Sequence, residues 1–253
     1  MIGLVGGVGP EAGRLLHGFI IEETARQKNI GCDQDHLMLN HISASPIIPD
    51  RTQFLLGNEY ENPAIGAFKV IEALSGSAAI FDKSCVVGVP CNTFHAPAIF
   101  GELERLLTES EISNIELLNM INETVNHIRA NLNSGAKIGL MSTTGTRHVG
   151  IYREPLEKAG YTVVEVDPAK QSNLHDTIYN SDWGIKAVSP VSEKAKTNFE
   201  MYAQQLIDGG AETIILGCTE IPLALPGEEF KGVSLLDPMR VIAKSLVARA
   251  LAV

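Results

Sequence analysis

Short apolar runs alternate with longer stretches whose apolar residues recur every three to four positions, which predicts strands alternating with amphipathic helices. Ile2–Val5 predicts a strand that runs into Gly6, Gly7, Val8, Gly9 and Pro10. Leu15, Leu16, Phe19 and Ile20 then share one helical face. Leu37–Ile42 predicts a second strand. Asn62 and Pro63 open a helix through Ala73 and Leu74. The apolar run Val86–Val89, ending at Pro90 and Cys91, predicts a third strand, ahead of a helix from about His95 to Leu107. Ile115–Leu118 reads as a strand and Ile121–Ala130 as a helix.

The series then restarts. Ile138–Met141 with Ser142, Thr143, Thr144, Gly145 and Thr146 echoes the first strand and its turn. Thr213–Leu216, followed by Gly217 and Cys218, echoes the strand before Cys91. Val233–Leu236, followed by Asp237, Pro238 and Met239, echoes Ile115–Leu118. Landmarks repeated in one order over such a distance predict two similar domains, and the alternation predicts a parallel sheet in each. The domains are expected at residues 1–114 with 234–253, the last helix completing the first domain, and at 115–233. Between the echoes, Arg153–Lys158 predicts a helix ending at Gly160, Tyr161–Val166 a strand, Ser172–Tyr179 a helix and Glu193–Ile207 a long helix. Ser181–Ala187, with Trp183 and Lys186, reads as a lid or a packed connection. Ser43–Thr52 carries Pro46 and Pro49, expected to exclude helix and central strand. Arg51 in this stretch is either a recognition side chain or a surface residue paired with Asp50 or Glu59.

Composition changes the picture mainly by exclusion. At 253 residues the chain is long enough for one large or two modest domains, and 45% hydrophobic with 20% charged residues is ordinary for a globular protein. A net charge of −10 argues against a general nucleic-acid binder. No basic and apolar leader opens the sequence, and no run approaches the roughly 20 apolar residues of a membrane span. Cys32, Cys85, Cys91 and Cys218 show no CxxC pairing and there is no HExxH, so free thiols in a reducing cytoplasm and no metal are expected.

A cysteine just past a buried parallel strand lies at the carboxyl edge of its sheet, where open α/β folds bind ligands. Cys91 and Cys218 share that context and each precedes a predicted helix, whose N-terminus would lower a thiol pKa. Cys85, inside a strand, reads as structural and Cys32 as incidental. A Cys–His–Asn site using His95 competes, although His95 is only one helical turn from Cys91. Gly7–Ala12 also fits G-x-G-x-x-G/A, but Asp33 and Asp35 fall before the second strand, so a tight turn beside a small-ligand pocket is expected instead of a dinucleotide site.

Together, Gly6–Pro10, Ile48–Thr52, Pro90–Thr93, Thr143–Thr146, Gly217–Glu220 and Leu236–Met239 resemble the aspartate/glutamate racemase family, especially its cofactor-independent aspartate racemases. The motifs span nearly the whole chain in the family's order. The resemblance implies an α/β fold of two similar domains with parallel sheets flanked by helices, pseudo-twofold related, with the active site in their cleft. It implies PLP-independent racemisation of a small acidic amino acid, with no cofactor, in a homodimer. Cys91 and Cys218 would be the two bases. Asn92, Thr93, Thr144 and Thr219 would hold the α-carboxylate and α-amino groups, and Arg51 and Lys186 the side-chain carboxylate. Glutamate or broad-specificity racemases, dicarboxylate isomerases or decarboxylases, and a non-catalytic acidic-amino-acid binding module are the alternatives.

Overall fold

The computed structural model describes residues 1–58 and 61–252, divided into two compact units, Met1–Thr124 with Met239–Val253, and Val125–Pro238. Along the first run β1 (Ile2–Gly6), α1 (Pro10–Gln27), β2 (Leu39–Ser43), α2 (Arg51–Leu55), α3 (Pro63–Ile80), β3 (Cys85–Gly88), α4 (Pro97–Glu109), β4 (Ile115–Leu117) and α5 (Met120–Asn131), within which the chain passes to the second unit. There follow β5 (Lys137–Ser142), α6 (Thr144–His148), α7 (Arg153–Lys158), β6 (Thr162–Glu165), α8 (Gln171–Tyr179), α9 (Glu193–Asp208), β7 (Thr213–Gly217), α10 (Ile221–Ala224), β8 (Glu229–Phe230), β9 (Val233–Leu236) and α11 (Pro238–Ala252).

The first sheet is parallel throughout, in the order β2-β1-β3-β4. The second is β6-β5-β7-β9-β8, parallel except for β8, a two-residue antiparallel edge too short to leave a sequence pattern. Without β8 the two orders are the same, as the repeated landmarks require. In each sheet the second strand lies on one side of the first and the third on the other, which creates a switch point at β1/β3 and again at β5/β7. The central strands β1 and β7 are buried at every position, the reason they read as continuous apolar runs.

In the first unit, Ile2 and Leu4 pack with Leu16 and Ile20 of α1 and with Ile242 and Leu246 of α11. The last helix therefore packs into this core. The second core gathers Met141, Ile178, Phe199, Tyr202, Leu206, Ile214 and Leu216. The expected domain limits move: β4 bonds to β3 and β9 to β7, so residues 115–124 join the first unit and 234–238 the second. Backbone ladders decide this, and an apolar triplet does not announce which edge it will join.

Two local expectations change and a third is decided between its alternatives. The two prolines do not exclude helix: Ser45–Ile47 is a 3₁₀ turn with Pro46 in its opening residues, and Arg51 opens α2. A helix start needs no amide from Pro. Ser181–Ala187 is a packed connection, with the Asn180 side chain accepting from the Asp182 and Trp183 amides and Ile185 buried in the second core. Finally, α3 extends to Ile80 and is long and apolar enough, by length and composition alone, to cross a membrane. It carries Lys69 and Glu72, and Ala67, Val70, Ile71 and Leu74 are buried, as in a core helix.

Candidate functional site

In the first unit the loops after β1, β2 and β3 come together. Gly7 has φ 88°, and a Cβ there would lie 2.4 Å from the Ser45 nitrogen, so only glycine lets the two loops pack backbone on backbone. That approach carries the Val8 carbonyl to Arg51. The Arg51 side chain is buried; Nη2 donates to Val8 O at 3.1 Å and Nη1 to Pro49 O at 3.2 Å. Asp50 instead caps α2, accepting from the Gln53 amide at 2.8 Å, while Glu59 lies outside the described residues. Arg51 is thus not the surface residue of the alternative reading. Asp33 and Asp35 sit in an exposed turn ahead of β2, and Asp35 accepts from the Gly31 and Cys32 amides.

Cys91, 8% exposed, follows the end of β3, with Asn92 and Thr93 buried beside it. The expected helix contains a break. A 3₁₀ turn, Thr93–His95, precedes α4, which begins only at Pro97. The expected helix terminus therefore stands a further turn away from Cys91. His95 Nδ1 lies 2.8 Å from Cys91 O; the carbonyl only accepts, so Nδ1 carries the proton. The ring stacks on Phe100 at 4.8 Å, and burial drives its pKa down to about 4, against the pull of the Cys91 carbonyl. Among the described residues Nε2 has no hydrogen-bond partner. His95 therefore stays neutral and braces the Cys91 backbone, which corrects the Cys–His–Asn reading.

In the second unit Cys218, 5% exposed, stands directly after β7. Gly217 permits the close passage of β5, since a Cβ there would meet Met141 O at 2.7 Å. Helix α10 has four residues, too few for the expected helix-terminal activation. The neighbours of Cys218 are instead ionic. Its thiol donates to Glu220 Oε2 at 3.2 Å, Thr219 Oγ1 donates to the same oxygen at 2.8 Å, and Lys186 pairs with Oε1. Lys186 Nζ lies 5.6 Å from the Tyr179 ring centroid, Tyr179 stacks on His175 at 4.7 Å, and His175 Nδ1 accepts from the Thr144 amide at 3.3 Å. Thr143 caps α6 beside it.

Burial pushes the Cys218 thiol well up, the Glu220 charge pushes it further, and Lys186 pulls the other way. For Glu220 burial favours the acid, but Lys186 and the Thr219 and Cys218 donors outweigh it, so its carboxyl falls below the usual range. Burial would lower Lys186, but Glu220 first and then Cys218 hold it above the ordinary ammonium value.

Of the sequence candidates, Arg51, Cys91, Asn92 and Thr93 gather in the first unit. Thr144, Lys186, Cys218 and Thr219 lie along one row of contacts in the second. Lys186 already has a carboxylate partner in the chain. Sequence reasoning gave no role to Glu220, although it stands in the quoted Gly217–Glu220 motif, nor to His175 and Tyr179, whose spacing of four on α8 puts both rings on one face. Among the described residues no three His, Cys, Asp or Glu side chains come together as a metal site.

The model of the Asp/Glu/hydantoin racemase family matches residues 5–246. An uncharacterised protein of Pectobacterium carotovorum subsp. carotovorum is 32% identical over 119 residues, 45% of this chain and 70% of that protein. The structure of Picrophilus torridus aspartate racemase matches with a TM-score of 0.74 at 22% identity, covering 98% of this chain and 93% of that one. Glutamate racemase from Francisella tularensis subsp. tularensis, in complex with D-glutamate, matches at 0.57 and 16% identity, covering 99% and 81%. At these identities the structural likeness is one of fold: parallel sheets flanked by helices.

Proposed function

Because the chain belongs to the Asp/Glu/hydantoin racemase family, we propose that it interconverts L- and D-aspartate without PLP, Cys91 and Cys218 exchanging one proton at Cα. The observation that carries this reading is the equivalence of the two thiols. Each follows the third strand of its unit, beside the switch point of a sheet with the same strand order. A single base tends to return its proton to the face it came from, whereas two bases on opposite faces invert the centre. One sulfur takes the α-proton as thiolate, the other delivers its S–H proton to the planar carbanion, and the roles exchange for the other enantiomer.

An α-proton is far less acidic than a thiol near pKa 8.5, so the developing charge needs fixed donors. We assign that task to Asn92, Thr93 and Thr144; Thr219, expected beside them, gives its one hydroxyl proton to Glu220. Arg51 is the cation for the distal carboxylate, supported by its burial and its two carbonyl anchors. Lys186, expected beside it, balances Glu220. Burial beside Glu220 favours the protonated form of Cys218 in the free protein. A reducing cytoplasm would keep both cysteines reduced.

Incubation of L-aspartate in D₂O without PLP tests this: D-aspartate carrying α-deuterium is expected, and Cys91→Ser and Cys218→Ser should each abolish it. Glutamate run in parallel separates the two acidic substrates. No α-exchange with either would end the racemase reading, and full activity in either variant would end the two-thiol mechanism.

A further inference from the structure

We infer that Glu220 is a positioning residue for Cys218: its carboxylate, anchored by Lys186 and Thr219, receives the S–H group and keeps the proton on that sulfur until the carbanion claims it. The inference rests on the proposed racemase reading and adds a residue to it.

Both carboxylate oxygens are engaged. Oε2 accepts from both the Cys218 thiol and the Thr219 hydroxyl, and Oε1 is held by the Lys186 ammonium. Cys218, Thr219 and Glu220 are all nearly inaccessible to water. A carboxylate fixed in this way offers the sulfur an acceptor and a negative charge at once. The titratable groups acting on it are Lys186 and Cys218, with Tyr179 beside Lys186 and His175 stacked on Tyr179.

Two consequences follow for the chemistry. When Cys218 acts as acid, its S–H bond breaks, the carbanion's electron pair forms the new C–H bond, and sulfur is left as thiolate. That thiolate stands next to a fixed carboxylate, so it is a stronger base than an isolated thiolate. It is thereby fitted to remove the weakly acidic α-proton in the opposite direction. Lys186 keeps the doubly anionic moment bearable, which gives the ion pair a purpose beyond filling space.

The test reads Cys218 itself. Wild-type protein is alkylated with iodoacetamide across pH, and the Cys218 peptide is quantified by mass spectrometry in the native and the urea-denatured chain. The native midpoint is expected above the denatured one. In Glu220→Gln it should fall by at least one pH unit, or about tenfold more thiolate at a given pH below it, while Glu220→Asp keeps most of the elevation. The alkaline limb of the kcat/KM profile of Glu220→Gln should move down in step. That shift must be equal for the two enantiomers, because racemisation has an equilibrium constant of one.

A Glu220→Gln midpoint equal to the wild type, or a wild-type midpoint no higher in the native than in the denatured chain, overturns the inference and leaves the racemase reading standing. Should Glu220→Gln not fold, Glu220→Ala takes its place, with the same fall of the Cys218 midpoint expected and an unchanged midpoint overturning the inference. Shifted alkylation midpoints in a protein with no α-proton exchange would instead remove the racemase reading and keep the Glu220–Cys218 coupling.

Discussion

Replacing Lys186 by Met would strand a carboxylate. The Glu220 side chain is 4% exposed and that of Lys186 21%, so their pair is of the buried kind. The methionine stem fills the lysine's apolar length but supplies no charge. Removing one member of a buried pair costs about 3–5 kcal/mol, because the other charge stays desolvated. Against a total stability of roughly 5–15 kcal/mol this is a large fraction. At about 2–4 °C per kcal/mol it lowers Tm by about 6–20 °C. The only Trp, Trp183, packs in the second core, so its fluorescence in urea reports on the unit that holds the pair.

The pH dependence has a definite sign. In the wild type the folded-state pKa of Glu220 is depressed, so its contribution is present above the unfolded carboxylate range and lost as pH falls through the folded value. In the variant, burial without a cation raises that pKa, and protonation relieves the strain as pH falls. The gap between the proteins should therefore be widest near neutrality and should close toward pH 4. Adding Glu220→Gln to Lys186→Met should recover most of the loss. A deficit under about 1 kcal/mol at pH 7, the range of exposed pairs, would refute the reasoning. So would a deficit unchanged between neutral and acid pH.

Further outcomes are expected at other positions. His95, held near pKa 4 by burial, is neutral at physiological pH; its ring should show no NMR titration above about pH 5. Its folded pKa lies below the unfolded one, so it adds a loss of stability as pH falls from 6.5 toward 4, about 3 kcal/mol in all. Arg51→Lys, which cannot bridge the Val8 and Pro49 carbonyls with a planar fork, should raise KM for aspartate about tenfold or more and change thermal stability little by comparison. Gly7→Ala places a methyl against the Ser45 amide at positive φ and should cost at least about 1–3 kcal/mol in urea denaturation, with lost activity through a displaced Arg51.

Much of the fold was legible because parallel strands buried on both faces leave uninterrupted apolar runs, and the helices between them leave a regular stripe. That is why β1, β3, β5 and β7 stand where Ile2–Val5, Val86–Val89, Ile138–Met141 and Thr213–Leu216 placed them, and why the repeated landmarks foretold two similar units with parallel sheets. The limits of the domains were less legible. The pairing of β4 with β3 and of β9 with β7 is a backbone matter on which side-chain pattern is silent.

The candidate residues divide in the same way. Cys91, Cys218 and Arg51 could be named from local motifs because each motif is a strand end or loop whose residues are neighbours in the chain. Their surroundings could not be read. That Arg51 rests on the Val8 carbonyl, 43 residues away in sequence, needs two loops to meet at Gly7. That Lys186 spends its charge on Glu220, 34 residues on, depends on the packing of the Trp183 segment against the β7 end. The amino-acid sequence determined which groups were available and which strand ends would carry them. Tertiary structure alone decided which of them were desolvated and beside what charge, because hydrogen bonds and pKa values depend on distances that the chain acquires only on folding.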